Sequence, residues 1–474
     1  MPSTSPIQAR LSRRGFLGLS GSALALGALS GCASLAPAPK PHPPIVFVHG
    51  NGDTAALWIT TAWRFETEGW PADRLFAIDL PYPLARDDDA QAQPGRSSTA
   101  EHMAFLKAEV ERVLQATGSA QVVLIGNSRG GNAIRNYIRH GGGQRTVSHA
   151  ILGGTPNHGV WAIPGFREGN EFSGTGPFLS GLNRPRNAAG DEVDGPTRWL
   201  TIRSDHNDKF ASPDGVWIGR PGQPTFVTAA GPELKGAENV VIAGLDHRET
   251  AYSRPAFEAM WRFLTGEAPR RQGIAMQAHP VLQGKITGLG LNPLDPASGA
   301  YTNNLPLPGA KLEIYAVGAE TGLRQGAPVH QKTVGNDGLW GPFTAESGQA
   351  YEFVISAPGY ATTHLYRSPF ARSSDWVHLR AERLAEAEAR QPGSVLVFTR
   401  PRGYFDPRRD SLSLDGQATL PGVPASGTAG ASSARLRLPA QAQRAVVGQF
   451  NGETVAGRNW PAEAGHLTVL ELTY

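Results

Sequence analysis

The sequence predicts an α/β fold in its N-terminal half and a β-rich architecture after it, on three observations. First, the apolar runs Ile45-Val46-Phe47-Val48 and Val122-Val123-Leu124-Ile125 have the length and β-branched content of buried strands. Second, Gly126-Asn127-Ser128-Arg129-Gly130 follows the second run directly, and a helix-like stretch from Asn132 to Arg139 follows it in turn. Third, the pattern changes after Gly266–Arg271 to short strands separated by frequent turn signals.

At the N-terminus, Ser12-Arg13-Arg14-Gly15-Phe16-Leu17 matches a twin-arginine export motif, and Gly18 to Gly31 is apolar. That segment is too short and glycine-rich to span a bilayer, which predicts a signal peptide at residues 1–31. Leu29-Ser30-Gly31-Cys32 resembles a bacterial lipobox, and Cys32 is the single cysteine of the chain. The resemblance implies that Cys32 becomes the lipidated first residue and attaches the protein to a membrane, in the periplasm or at the cell surface. The alternative is a small-residue cleavage site with an incidental cysteine. Ala33 stands where an inner-membrane retention signal carries aspartate. Residues 32–44 are a Pro-rich tether. Removing residues 1–31 removes Arg10, Arg13 and Arg14 and no acid, so the formal charge falls from +3 to 0. The basic balance therefore belongs to the leader and is no argument for nucleic-acid binding.

Residues 45–268 hold the chemistry. G-x-S-x-G between strand and helix is the pattern of a nucleophile elbow, in which a sharp turn lifts the serine hydroxyl above the sheet. The helix that starts there aims free N–H groups at developing negative charge. The first strand run ends in His49-Gly50-Asn51-Gly52. Leu106, Val110, Val113 and Leu114 lie on one face of a helix that Gly118 ends. Ala150-Ile151-Leu152 is a strand whose following loop offers Asn157 but no carboxylate. Residues 157–196 lack periodicity and scatter Trp161, Phe166, Phe172 and Phe178 among Gly, Pro and Asn, which predicts a flap or a surface insertion. Trp199-Leu200-Thr201-Ile202 reads as a strand, with Asp205 and Asp208 in the loop after it. Asn239-Val240-Val241-Ile242 leads through Gly244 to His247. A helix then starts with Ser253 as cap and Pro255 in its first turn, and Phe257, Met260, Trp261 and Leu264 share one face.

The H-G-x loop, the elbow and the N-V-x-I-x-G-x-x-H run together resemble the α/β-hydrolase lipases and esterases, the small bacterial lipases in particular. The resemblance implies an α/β-hydrolase domain with Ser128 as nucleophile, His247 as general base and the backbone amides of Asn51 and Arg129 as oxyanion donors. It places the triad acid after the penultimate strand, at Asp208, with Asp205 as the alternative. His49 is a structural residue in such loops. Chemically, the histidine takes the serine proton, the carboxylate fixes its tautomer, and water later discharges an acyl-enzyme. That chemistry needs no metal and no organic cofactor. The chain lacks H-E-x-x-H, and one cysteine excludes a multi-thiolate zinc site.

Beyond it, Lys311–Val317 and Tyr351–Ile355 alternate with turns such as Asn336-Asp337-Gly338. Asp337-Gly338-Leu339-Trp340-Gly341-Pro342-Phe343 with Ala357-Pro358-Gly359-Tyr360 resembles prealbumin-like modules, which implies a β-sandwich at residues 274–382. A charged stretch, Arg380 to Arg390, precedes a second β-rich domain at residues 394–474, with a loose Gly-, Ala- and Ser-rich loop from Gln417 to Ser433. A lipase domain followed by such a half resembles a two-domain archaeal lipase. The expected function is carboxylic ester hydrolysis on a lipid or polyester substrate. The alternatives are a polyhydroxyalkanoate-type depolymerase and a non-catalytic lipoprotein that binds surfaces through a hydrolase scaffold.

Overall fold

Six strands form a parallel sheet in the order β2-β1-β3-β4-β5-β6. They are β1 (Ile45–Val48), β2 (Leu75–Ala77), β3 (Val122–Asn127), β4 (Val147–Gly153), β5 (Arg198–Arg203) and β6 (Glu238–Val241). The computed structural model describes residues 42–474 except 215–219, 221, 292, 293, 295–299 and 426–429. The twin-arginine run, Cys32 and the tether as far as Pro41 lie outside the described residues. No helix among the described residues is long and apolar enough to cross a membrane.

The strand runs are apolar throughout because helices cover both faces of the sheet. On one face Ile45, Phe47, Val123, Ile125 and Ile151 meet α1 (Ile59–Thr67) and α6 (Arg254–Thr265) through Phe65, Phe257 and Trp261. On the other, Val46, Val48, Leu124 and Leu152 meet α2 (Thr99–Thr117) and α3 (Arg129–His140) through Leu106, Val110, Val113 and Ile134. A capping box of Ser98 and Glu101 starts α2, and Gly118 ends it in the left-handed region at φ 63°. Ser253 caps α6 through the Ala256 amide, with proline in the first turn.

The β-rich half is built on a mixed sheet of seven strands. Their order is His330–Thr333, Lys311–Val317, Ala350–Ser356, Thr362–Arg367, His466–Glu471, Ser394–Thr399 and Ser433–Leu438. The expected boundary between residues 274–382 and 394–474 falls inside this sheet, which draws strands from both segments. Alternate residues feed two cores, one on each face. Phe353, Ile355, Leu365, Val395, Val397 and Val469 enter the first core, and Tyr366, Leu396, Phe398 and Leu470 enter the second. A three-stranded sheet, Leu412–Leu414, Ala445–Phe450 and Glu453–Arg458, closes the second face. The stretch expected as a loose loop buries Leu420 and Val423 in that core.

The first core continues into the parallel-sheet half, since Ala56, Ile59 and Trp63 are part of it. Trp63 Nε1 donates to the Ser373 carbonyl at 2.9 Å, and Trp376 packs edge-on to Phe47 beneath the parallel sheet. Residues 42–474 accordingly form one compact unit.

Candidate active site

Ser128 sits at the junction of β3 and α3 with φ 52° and ψ −123°, a strained conformation for a residue with a Cβ. The flanking glycines make the turn possible by close approach. A Cβ on Gly130 would lie 2.4 Å from the Val48 carbonyl oxygen, and one on Gly126 would lie 2.7 Å from Ile134 Cδ1. The Ser128 amide donates to the Gly153 carbonyl at 3.0 Å, which ties the elbow to β4.

His247 is buried in the loop after β6, and its Nδ1 is 3.0 Å from both carboxylate oxygens of Asp208. Asp208 is 1% exposed, so little water competes for that contact. Asp205 stands apart: its Oδ1 accepts the amides of Asn207 and Gly244 and the hydroxyl of Ser204. Burial works against its ionisation, but those donors hold its carboxyl below the usual range. The histidine loop is joined to the elbow by Asn127, the residue before Ser128. Its side-chain amide donates to the carbonyls of Gly153 and His247 at 3.0 and 3.2 Å. The Phe210 ring lies 4.5 Å from the His247 ring and connects it to an apolar cluster of Val160, Trp161 and Ile163.

Of the two residues expected to offer oxyanion amides, Arg129 directly follows the serine in the chain, and Asn51 follows a glycine that packs on it. Gly50, just before Asn51, abuts Ser128, where a Cβ would lie 3.1 Å from the serine Cβ. The Asn51 side chain turns away and accepts the Ala85 amide at 2.8 Å. Arg129 opens α3, and first-turn amides have no acceptor within their helix. Its side chain is buried away from the serine, with Nε and Nη2 on the two Glu171 oxygens at 2.6 and 2.8 Å. Burial pushes the Glu171 carboxyl up despite that arginine. His49 has both ring nitrogens on backbone: Nδ1 lies 2.9 Å from the Gly50 carbonyl, and Nε2 accepts the Leu80 amide. Burial lowers its pKa, and its structural role follows from those bonds.

Residues 157–196, expected as a flap or insertion, are fixed beside the elbow. Glu171 holds Arg129, the Arg135 guanidinium donates to Asn157 and Asn183, and His158 pairs with Glu192 at 2.8 Å. Asn127, Glu171 and Phe210 were not singled out as site residues in the sequence. Only Phe210 left a signal, as a ring two positions after Asp208. Among the described residues no three His, Cys, Asp or Glu side chains are grouped to hold a metal ion.

The chain is similar to the mature form of the Bacillus licheniformis lipase BlEst2, with 20% identity over 48% of this chain and 94% of that one and a TM-score of 0.35. Its propeptide form aligns at 16% identity over 67% of this chain and 90% of that one, with a TM-score of 0.36. Aspergillus fumigatus lipase B aligns at 16% identity over 48% of this chain and 54% of that one, with a TM-score of 0.33. In sequence, residues 42–167 match the class 2 lipase family and residues 280–384 match the lipase C-terminal domain family. The chain thus carries a segment similar to class 2 lipases followed by a segment similar to lipase C-terminal domains.

Proposed function

We propose that the protein hydrolyses carboxylic esters by acyl transfer, with Ser128 as nucleophile, His247 as general base and Asp208 as the triad acid. The pairing of His247 Nδ1 with a buried Asp208, in a loop that Asn127 ties to the serine turn, carries this reading. With Nδ1–H donated to the carboxylate, Nε2 is the nitrogen left to take the serine proton. The amides of Asn51 and Arg129 receive the oxyanion, at about 3 kcal/mol per donor. The first product leaves as an alcohol, and His247 then activates water against the acyl-enzyme. The apolar cluster that reaches His247 through Phe210 suits the acyl chain of a lipid-like ester.

A fluorophosphonate probe and an ester series of increasing acyl length test the assignment. Labelling is expected at Ser128, and Ser128→Ala should remove it and lower turnover by about 10⁴-fold or more. Labelling elsewhere, or turnover kept by Ser128→Ala, refutes the reading.

The motifs at the N-terminus support a second proposal, export by the twin-arginine route and anchoring through a lipidated Cys32. Mass spectrometry of the mature protein should find an acylated Cys32 at the N-terminus. An unmodified N-terminus at another residue refutes it.

A further inference from the structure

We infer that the β-rich half is a working part of the active site: Arg400, with Arg409 and Tyr404, holds the loop that carries His247 and thereby positions the base. The inference rests on the acyl-transfer reading above and adds positioning residues to it.

Asp246 precedes His247, and Glu249 follows two residues later at the start of a short helix, α5 (Glu249–Tyr252). Asp246 is fully buried, and its Oδ1 accepts the amides of Arg248 and Glu249 at 2.8 and 2.9 Å, which turns the backbone around His247. Its Oδ2 is taken by the other half of the molecule, by Arg400 Nη1 and the Tyr404 amide, each at 2.8 Å. Glu249 is shared in the same way. Arg400 Nη2 reaches its Oε1 and Arg409 Nη1 its Oε2, both at 2.6 Å. Arg409 Nη1 also donates to the Gly244 carbonyl at 2.7 Å. The loop is therefore gripped from Gly244 to Glu249 by side chains more than 150 residues downstream.

A second contact reaches the imidazole through packing. The Tyr404 ring lies 6.1 Å from Phe210, whose ring lies 4.5 Å from His247, and the Arg248 guanidinium sits 4.9 Å over Tyr404. Arg248 in turn pairs with Asp53, just past the loop that carries Asn51.

The electrostatics demand such a grip. Asp246 and Glu249 are two carboxylates in one poorly hydrated place and repel each other unless cations stand between them. Arg400 lies on both and supplies that cation from the β-rich half. Other charges facing the loop include Arg409 beside it, Asp205 on the Gly244 amide, Asp208 on the imidazole, and the Arg248–Asp53 pair. Without Arg400 the two carboxylates lose the cation that bridges them, and the loop that carries His247 loses its hold on the β-rich half.

The test uses full-chain protein with a soluble ester, measuring kcat and KM for the parent, Arg400→Met, Arg400→Lys and Tyr404→Ala, each first checked for folding by near-UV circular dichroism. Arg400→Met should lower kcat by about tenfold to a hundredfold with little change in KM, as a displaced catalytic group does. Arg400→Lys should restore part of the lost kcat. Tyr404→Ala keeps the backbone amide on Asp246 and leaves no buried charge unpaired, and should also lower kcat with little change in KM. It decides the matter if Arg400→Met fails to fold. Folded variants with parental kcat overturn the inference while leaving the triad standing. A parent that fluorophosphonate does not label overturns the triad reading itself, and the positioning role with it.

Discussion

Asp205 and Asp208 share one loop and differ in what their carboxylates accept. Asp208 meets a titratable ring, whereas Asp205 meets backbone amides and a hydroxyl that need only a loop fastener. Asp208→Asn should keep the fold and lower kcat by about 10⁴-fold, because the imidazole tautomer is no longer fixed. Asp205→Asn should keep near-parental turnover and lose about 1 kcal/mol of stability, as a removed cap does. Turnover and urea midpoints of both variants check this, and a dead Asp205→Asn beside an active Asp208→Asn reverses the assignment. Ser128 and His247 were legible because each is announced by its own neighbours, a strand before and a glycine turn around it. Which aspartate faces the histidine depends on the path of the loop, and local residue pattern does not encode that path. Glu171 and Arg400 were out of reach for a plainer reason. They find Arg129 and Asp246 across 42 and 154 residues of chain.

Among the elements, those with a repeating pattern were readable: β3, the faces of α2 and α6, the glycine stop of α2 and the Ser253 cap. Residues 157–196 have no period, because their order comes from ion pairs and isolated aromatic anchors. Breaking the buried Arg129–Glu171 pair should therefore loosen that segment. Both side chains are at most 2% exposed, and removing one partner strands the other charge. Glu171→Ala should cost about 3–5 kcal/mol in urea denaturation and speed amide exchange in residues 157–176. A loss under about 1 kcal/mol, with exchange unchanged, would mean the pair does not fix the segment. In the β-rich half the strands were legible and their partnership was not. The alternation along Ser394–Thr399 and His466–Glu471 is apolar on both faces, which shows burial but not which strands lie alongside.

At the scale of the whole molecule, the two halves are joined by a common core and by charges. Ala56, Ile59 and Trp63 are buried among residues of the β-rich half, and Asp246 and Glu249 are neutralised from it. Neither half can unfold without exposing apolar surface and unpaired carboxylates on the other. Calorimetry should show one cooperative unfolding transition for residues 42–474, with matching calorimetric and van't Hoff enthalpies. Two resolved transitions would show that the halves are energetically independent.

Strand His466–Glu471 lies in the middle of its sheet, parallel to Thr362–Arg367 on one side and Ser394–Thr399 on the other. The ribosome makes it after both neighbours, with His466 lying 102 positions after His364. Until it emerges, the nascent sheet is two fragments with open edges, the state in which chains pair wrongly or aggregate. Arg400 directly follows the strand whose last residue, Thr399, pairs with Glu471. Ser128 is therefore translated long before Arg400 can be seated on Asp246 and Glu249. The strand made last is therefore the one that joins the two fragments into a single sheet.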